Sequence, residues 1–153
     1  MPVVAFLVEL DYNRSMRRTN VLEKLGASII NVAVVFVFTI PFILLWGFGL
    51  YWKLSFIGLF FLYNLIFLIF GNNICVGSRI LKTRWEKEYP FINRLIFIFL
   101  YTLSFSSLLF WIIFPFDIFL VNMLLLQLPC VLLTGTTVHG LLSGKMMTGI
   151  KKD

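Results

Sequence analysis

Between Lys24 and Lys53 the chain carries no charged residue, and no other feature limits its possible folds so sharply. As a helix rising 1.5 Å per residue, the stretch at about 27–50 would reach about 36 Å. That is enough to cross a hydrocarbon core of about 30 Å with some tilt. Further apolar stretches lie at about 54–70, 92–114 and 118–133. Composition points the same way: 60% of residues are hydrophobic and 13% charged, where soluble chains run near 45–50% and about 25%. The eighteen Phe residues are among the side chains most readily inserted into lipid. The expected fold class is an all-α membrane protein, a single domain over 1–153, with four transmembrane helices arranged as two helical hairpins.

Residues 71–90, GNNICVGSRILKTRWEKEYP, separate the two halves. Arg79, Lys82, Arg84, Lys87 and Arg94 fall in or just after this interval, against Glu86 and Glu88. It is too basic to cross a bilayer and, at Ile80, Leu81 and Trp85, too apolar to float free. A basic cytoplasmic amphipathic segment over 71–91 is therefore expected at the membrane surface. Arg79, Lys82, Arg84 and Trp85 are its candidates for docking anionic lipid or a partner. Arg14, Arg17, Arg18 and Lys24 precede the first stretch, and Lys145, Lys151 and Lys152 follow the last. Only Lys53 of the thirteen cations then falls on the far side, which places both termini and the central segment in the cytoplasm. The formal charge of +6 is accounted for by this asymmetry rather than by nucleic acid.

Finer features fill in the layout. Met1 to Leu10 is apolar but too short to span, which favours a short strand or an interfacial segment, and no cleavage site of a signal peptide follows it. Pro41 should bend the first helix. Trp46, Tyr51 and Trp52 should mark the far interface, with Lys53 and Ser55 in the turn. Tyr101, Ser104, Ser107 and Trp111 share one helix face at steps of three and four. Pro115, Phe116 and Asp117 make the second exterior turn, and Pro129 is a kink candidate. In the tail, Val138, Leu141 and Leu142 have amphipathic spacing.

A catalytic constellation is missing: His139 is the one histidine, and no Asp or Glu lies deep in a span. Paired carboxylates, a supported nucleophile and a metal cage each lack members. No enzyme activity, cofactor or metal is expected. Cys75 and Cys130 read as small apolar filler. What the spans offer is neutral polarity at Asn31, Asn64, Asn122 and Gln127. An unpaired amide in hydrocarbon costs a few kcal/mol, so each should bond another helix, at about 1 kcal/mol apiece.

Three local patterns resemble the RDD family of small prokaryotic membrane proteins. Lys24, Ala27, Ile30 and Asn31 in EKLGASIIN are similar to that family's basic residue, alanine and Ile-Asp at the start of the first span. Residues 77–85, GSRILKTRW, resemble its Gly-Lys-Arg-Leu-Leu-Gly-Leu-Arg-Val segment, and residues 137–144, TVHGLLSG, its Thr-Leu-His-Asp-Arg-Leu-Ala-Gly. Lys24 stands in place of the family's Arg, Asn31 and Gly140 in place of its two Asp, and Ser78 in place of its Lys. The resemblance implies a multi-pass protein of the bacterial plasma (inner) membrane. Transport and ion-antiport roles are proposed for some family members, but proton-binding carboxylates are lost here. The expected function is a non-enzymatic structural or accessory subunit of a larger membrane complex. Its partners would be anionic lipid, other membrane subunits or further copies of itself, and not nucleic acid. The alternative is a small transporter or ion-antiport component acting as an oligomer. An anchor for a peripheral protein, using residues 1–10, is a third possibility.

Overall fold

The computed structural model describes residues 16–71, 74–110 and 118–151, the last of these without its side chain. The segment expected over 1–10, Trp111 and the turn at Pro115, Phe116 and Asp117 lie outside the described residues. The chain is mostly helical. In order it forms β1 (Met16–Arg18), α1 (Val21–Trp46), α2 (Leu50–Phe70), α3 (Val76–Ile80), β2 (Thr83–Trp85), α4 (Phe91–Ser106), α5 (Ile118–Thr134), α6 (Val138–Leu142) and β3 (Thr148–Lys151). Two of these helices, α1 and α2, are long and apolar enough to cross a membrane.

The first helix begins well before the apolar stretch does. Asn20 and Glu23 form a capping box: the Asn20 side chain accepts from the Glu23 N–H, and the Glu23 carboxylate accepts from the Asn20 N–H. Two otherwise orphaned donors are thereby satisfied, and the helix nucleates inside the charged run rather than at residue 27. It ends at Gly47, whose positive φ of 65° suits glycine. The turn to α2 is therefore 47–49, and Lys53 and Ser55 sit within α2 instead of making it. Lys53 Nζ lies 5.5 Å from the Phe110 ring centroid.

Along α2, Trp52, Phe56, Phe60, Asn64 and Leu68 are buried at steps of four, a single stripe facing inward. Trp52 is thus a core residue rather than part of an interfacial belt, packed edge-on to Phe36 and Phe48. Trp46 and Tyr51 remain exposed. The core unites α1, α2 and α4 through Val35, Trp52, Phe56, Phe60, Phe105 and Leu109. Phe60 stacks on Phe105 with centroids 4.2 Å apart.

The third apolar stretch is regular helix only to Ser106. Ser106 and Ser107 hydroxyls donate to the carbonyls of Leu103 and Ser104, each at 2.6 Å. Such short-range bonds compete with the helical ladder, and residues 107–109 turn away. In α5, residues Asn122–Gln127 are wound as a π-helix, and Pro129 follows in the next turn.

The helices are not the whole fold. β1, β3 and β2 pair antiparallel, in that order, as a three-stranded sheet that the all-α expectation lacks. Each strand is three or four residues long, too short for alternation to register in the sequence. Among the described residues of 71–91, the regular structure is one helical turn and a strand.

Candidate functional site

Two polar clusters organise the helices. In the first, Asn31 is buried on α1 and its Oδ1 accepts from the Tyr63 hydroxyl and from the Gly77 N–H, both at 2.9 Å. The Tyr63 hydroxyl itself accepts from the Val76 N–H at 3.0 Å. Asn31 and Tyr63 thus satisfy donors at the start of α3, which would otherwise be orphans. Gly77 allows the approach: a Cβ there would stand 2.2 Å from the Ala27 carbonyl oxygen. Asn64, one helix over, donates to the Phe60 carbonyl at 2.8 Å and accepts a 3.5 Å contact from the Cys75 thiol. Burial pushes that thiol up to about 12.

The second cluster joins α4, α5 and α6. Asn122 Nδ2 lies 2.9 Å from Ser104 Oγ and 3.1 Å from Ser107 Oγ. Gln127 Nε2 donates to Ser104 Oγ at 3.2 Å and to Asn122 Oδ1 at 3.3 Å, while its Oε1 accepts from the Val138 N–H. The π turn explains the pairing of two residues five apart. In an α-helix they would point in different directions, but i→i+5 bonding brings them into line.

A third constellation was not singled out as a site from sequence. Lys24 Nζ donates to Thr19 Oγ1 at 2.6 Å and Thr148 Oγ1 at 2.9 Å, tying α1 to the sheet. Tyr101 donates to Ser28 at 2.9 Å. His139 stacks on Tyr101 with centroids 5.1 Å apart and packs edge-on to Phe97. Burial and the nearby Lys24 charge push its imidazole down to about 3, so it is neutral. Its Nδ1 is buried with no hydrogen-bond partner among the described residues. In α6, His139 and Gly140 face inward while Leu141 and Leu142 are exposed. The buried face is the reverse of what the leucines imply. A Cβ on Gly140 would meet Thr136 Oγ1 at 2.3 Å and the Met146 carbonyl at 2.9 Å.

These constellations surround a cleft of about 810 Å³ between α1 and α5, backed by α4. Asn31, Asn64 and Gln127 line it, as do Lys24, Ser28 and His139. α1 meets α5 over the last turns of α5, Leu128–Thr134. Lining residues Ile29, Val37 and Leu124 are 59%, 60% and 50% exposed, so the cleft opens between those two helices. Among the described residues no group of three His, Cys, Asp or Glu side chains gathers as a metal site.

The four docking candidates are not equivalent. Arg79, Lys82 and Arg84 are exposed, with the Arg79 guanidinium 5.9 Å from the Phe67 ring centroid. Trp85 instead packs edge-on against Tyr89 and Phe97, at 5.8 and 4.9 Å. It shares the inward face of β2 with buried Thr83, while Arg84 alternates outward. The sequence signal for Tyr63 and Thr148 is weak, because their partners are backbone donors and a distant lysine. Comparisons with family models, curated proteins and solved structures find no match to this chain.

Proposed function

We propose that this chain is a non-enzymatic, four-span protein of the bacterial inner membrane, built on an RDD-like scaffold and serving as an accessory subunit of a larger membrane assembly. The sheet is the observation that carries this reading. β1 precedes α1 and α2, β2 lies between α2 and α4, and β3 follows α5, yet the three strands pair directly. Paired strands occupy one side of a bilayer, so the chain between successive strands crosses an even number of times. Two crossings by α1 and α2, then two by the helices at 91–106 and 118–134, meet that condition as two hairpins. The basic residues on and beside the sheet favour the cytoplasmic side. The apolar windows of α1 and α2 are only 17% and 22% buried, which disfavours a role as core helices of a soluble domain.

Kinship with RDD proteins is supported by where the three patterns meet. Gly77 sits against Ala27 and Asn31, and His139 lies near enough to Lys24 to feel its charge. The departures also have a physical basis. The fold leaves no room at Gly140 for any side chain, and Asn31 needs only an oxygen acceptor.

The subunit role draws on the platform the sheet creates, where Arg79, Lys82, Arg84 and Lys87 are exposed beside the 61%-exposed Ile80. Such a surface suits an acidic partner or anionic headgroups. The test is the native mass of the gently extracted protein, with identification of what accompanies it. A stoichiometric foreign subunit, lost when Arg79, Lys82 and Arg84 become Gln, is expected. Partner retention unchanged by those substitutions would end the docking idea. A transport component remains the second reading, because Asn31, Ser104 and Gln127 line the cleft. A lone homo-oligomer that moves ions in vesicles, and stops on Asn31→Leu, would favour it.

A further inference from the structure

The cleft changes character along its length. At the sheet end its walls are Lys24, Thr19, Thr148, Ser28 and His139; farther along α1 they become Phe36, Val37, Leu108 and Met123. From Val21 to Val37 the α1 wall runs about 24 Å at 1.5 Å per residue, longer than one leaflet of about 15 Å. Its mouth exposes Ile29, Val37 and Leu124, which face hydrocarbon if α1 and α5 span the bilayer.

The polar end is also set up for an anion. Lys24 lines it, and the two carboxylates that act on Lys24 are already engaged, Glu23 with Arg17 and the Asn20 N–H and Glu86 with Arg18. Lys24 spends two of its three N–H groups on Thr19 and Thr148, leaving a third without an acceptor among the described residues. The His139 Nδ1 is a buried polar atom with no partner among the described residues. A half-buried cation beside unmet polar groups, at the head of an apolar trough, matches one ligand chemistry.

We infer that the cleft binds a single anionic phospholipid, with its phosphate at Lys24 and an acyl chain between α1 and α5. This rests on the membrane reading above and is independent of the partner docked on the sheet. A lipid without a phosphate leaves the Lys24 donor unmet, a zwitterionic one brings its own cation up against the Lys24 ammonium, and an apolar partner helix would bury it against hydrocarbon.

The test uses the purified, delipidated full chain in detergent, offered phosphatidylglycerol or phosphatidylcholine with identical acyl chains and weighed by native mass spectrometry. One phosphatidylglycerol per chain should be retained at least tenfold over phosphatidylcholine. Lys24→Gln should bring the two within twofold, whereas Lys24→Arg keeps the preference. Ala33 lines the cleft and is exposed, so Ala33→Trp should fill the trough and eliminate both lipids without lowering the melting temperature. Equal retention of the two lipids, retention by the folded Ala33→Trp protein, or displacement of the lipid by inorganic phosphate would each overturn the inference. If Lys24→Gln fails to fold, the lipid comparison and Ala33→Trp still decide. Recovery of the chain from broken cells without detergent would instead refute the membrane reading.

Discussion

The contact between Gly77 and α1 gives the sharpest prediction. In Gly77→Ala the new Cβ would lie 2.2 Å from the Ala27 carbonyl oxygen, where real Cβ contacts stay above 3.0 Å. The Ala27 carbonyl belongs to α1 and cannot swing aside, so α3 must retreat by the difference, at least 0.8 Å. Such a retreat stretches the Gly77 N–H to Asn31 bond from 2.9 Å by up to the same amount, to as much as about 3.7 Å, where it is weakened or broken. Overpacking costs about 1–3 kcal/mol and the broken buried bond about 1–3 kcal/mol more. A total near 4 kcal/mol would raise the open population of α3 by about three decades. Cys75, next to α3, reports it directly, because its thiol is held at the Asn64 amide and burial raises its pKa to about 12. In a Cys130→Ala background Cys75 is the sole thiol, and its maleimide labelling should accelerate by orders of magnitude. Gly58→Ala is the control: nothing lies within 4 Å of that Cβ, and replacing a mid-helix glycine should stabilise α2 by up to about 1 kcal/mol. Labelling of Gly77→Ala within twofold of its parent would refute the packing argument.

Asn31→Leu leaves the Gly77 N–H and the Tyr63 hydroxyl without their acceptor and should destabilise by about 2–4 kcal/mol, read as faster Cys75 labelling. Asn31→Asp keeps an oxygen in place and should hold labelling within tenfold of the parent. Gln127→Leu removes the bonds that join α4, α5 and α6; a loss of about 2–3 kcal/mol in unfolding by denaturant is expected. His139 is neutral when folded, with its pKa depressed from 6.5 to about 3, so the unfolded chain binds the extra proton first. Its contribution is therefore complete above pH 6.5 and lost as pH falls toward 3. The decline reaches about 2 kcal/mol by pH 5, and His139→Phe should flatten that part of the melting-temperature profile.

Hydropathy marked the apolar stretches but not the helices that contain them. The capping box at Asn20 and Glu23 is written in the sequence, yet it lies in a charged run where hydropathy falls, so α1 starts earlier than the apolar pattern does. The stripe from Trp52 to Leu68 is equally visible at steps of four. Weighed singly, Trp52 resembles an interfacial ring; weighed in phase with Phe56 and Phe60, it belongs inside. The polar contacts were harder to read. The Asn31 oxygen is met partly by a backbone N–H, and backbone donors leave no trace in residue type. The Asn122 to Gln127 pairing depends on a π turn, and ordinary helical spacing separates those residues. The sheet was least legible of all. Met16 pairs with Lys151 across nearly the whole chain, and strands of three or four residues have no local pattern strong enough to name a partner that far away.

The same sheet accounts for the cleft. β3 pairs with both β1 and β2, so the chain on either side of each helical half is fastened at one end. Lys24 extends that fastening to α1 through Thr148, and Gln127 extends it to α5 through the Val138 N–H. Away from the sheet, α1 packs on α2 and α2 on α4, and α1 and α5 stand apart across the cleft. The cleft walls there are apolar, with Phe36 and Val37 from α1 and Met123 and Leu124 from α5. On the proposed membrane placement these apolar surfaces have no hydrophobic drive to close on one another, so separation at that end carries little penalty. Polar bonds pin α1 and α5 to the sheet end, and farther out Asn122 ties α5 to Ser104 and Ser107 of the α4 end, so the compliant contact that topology leaves is the one between α1 and α5 themselves.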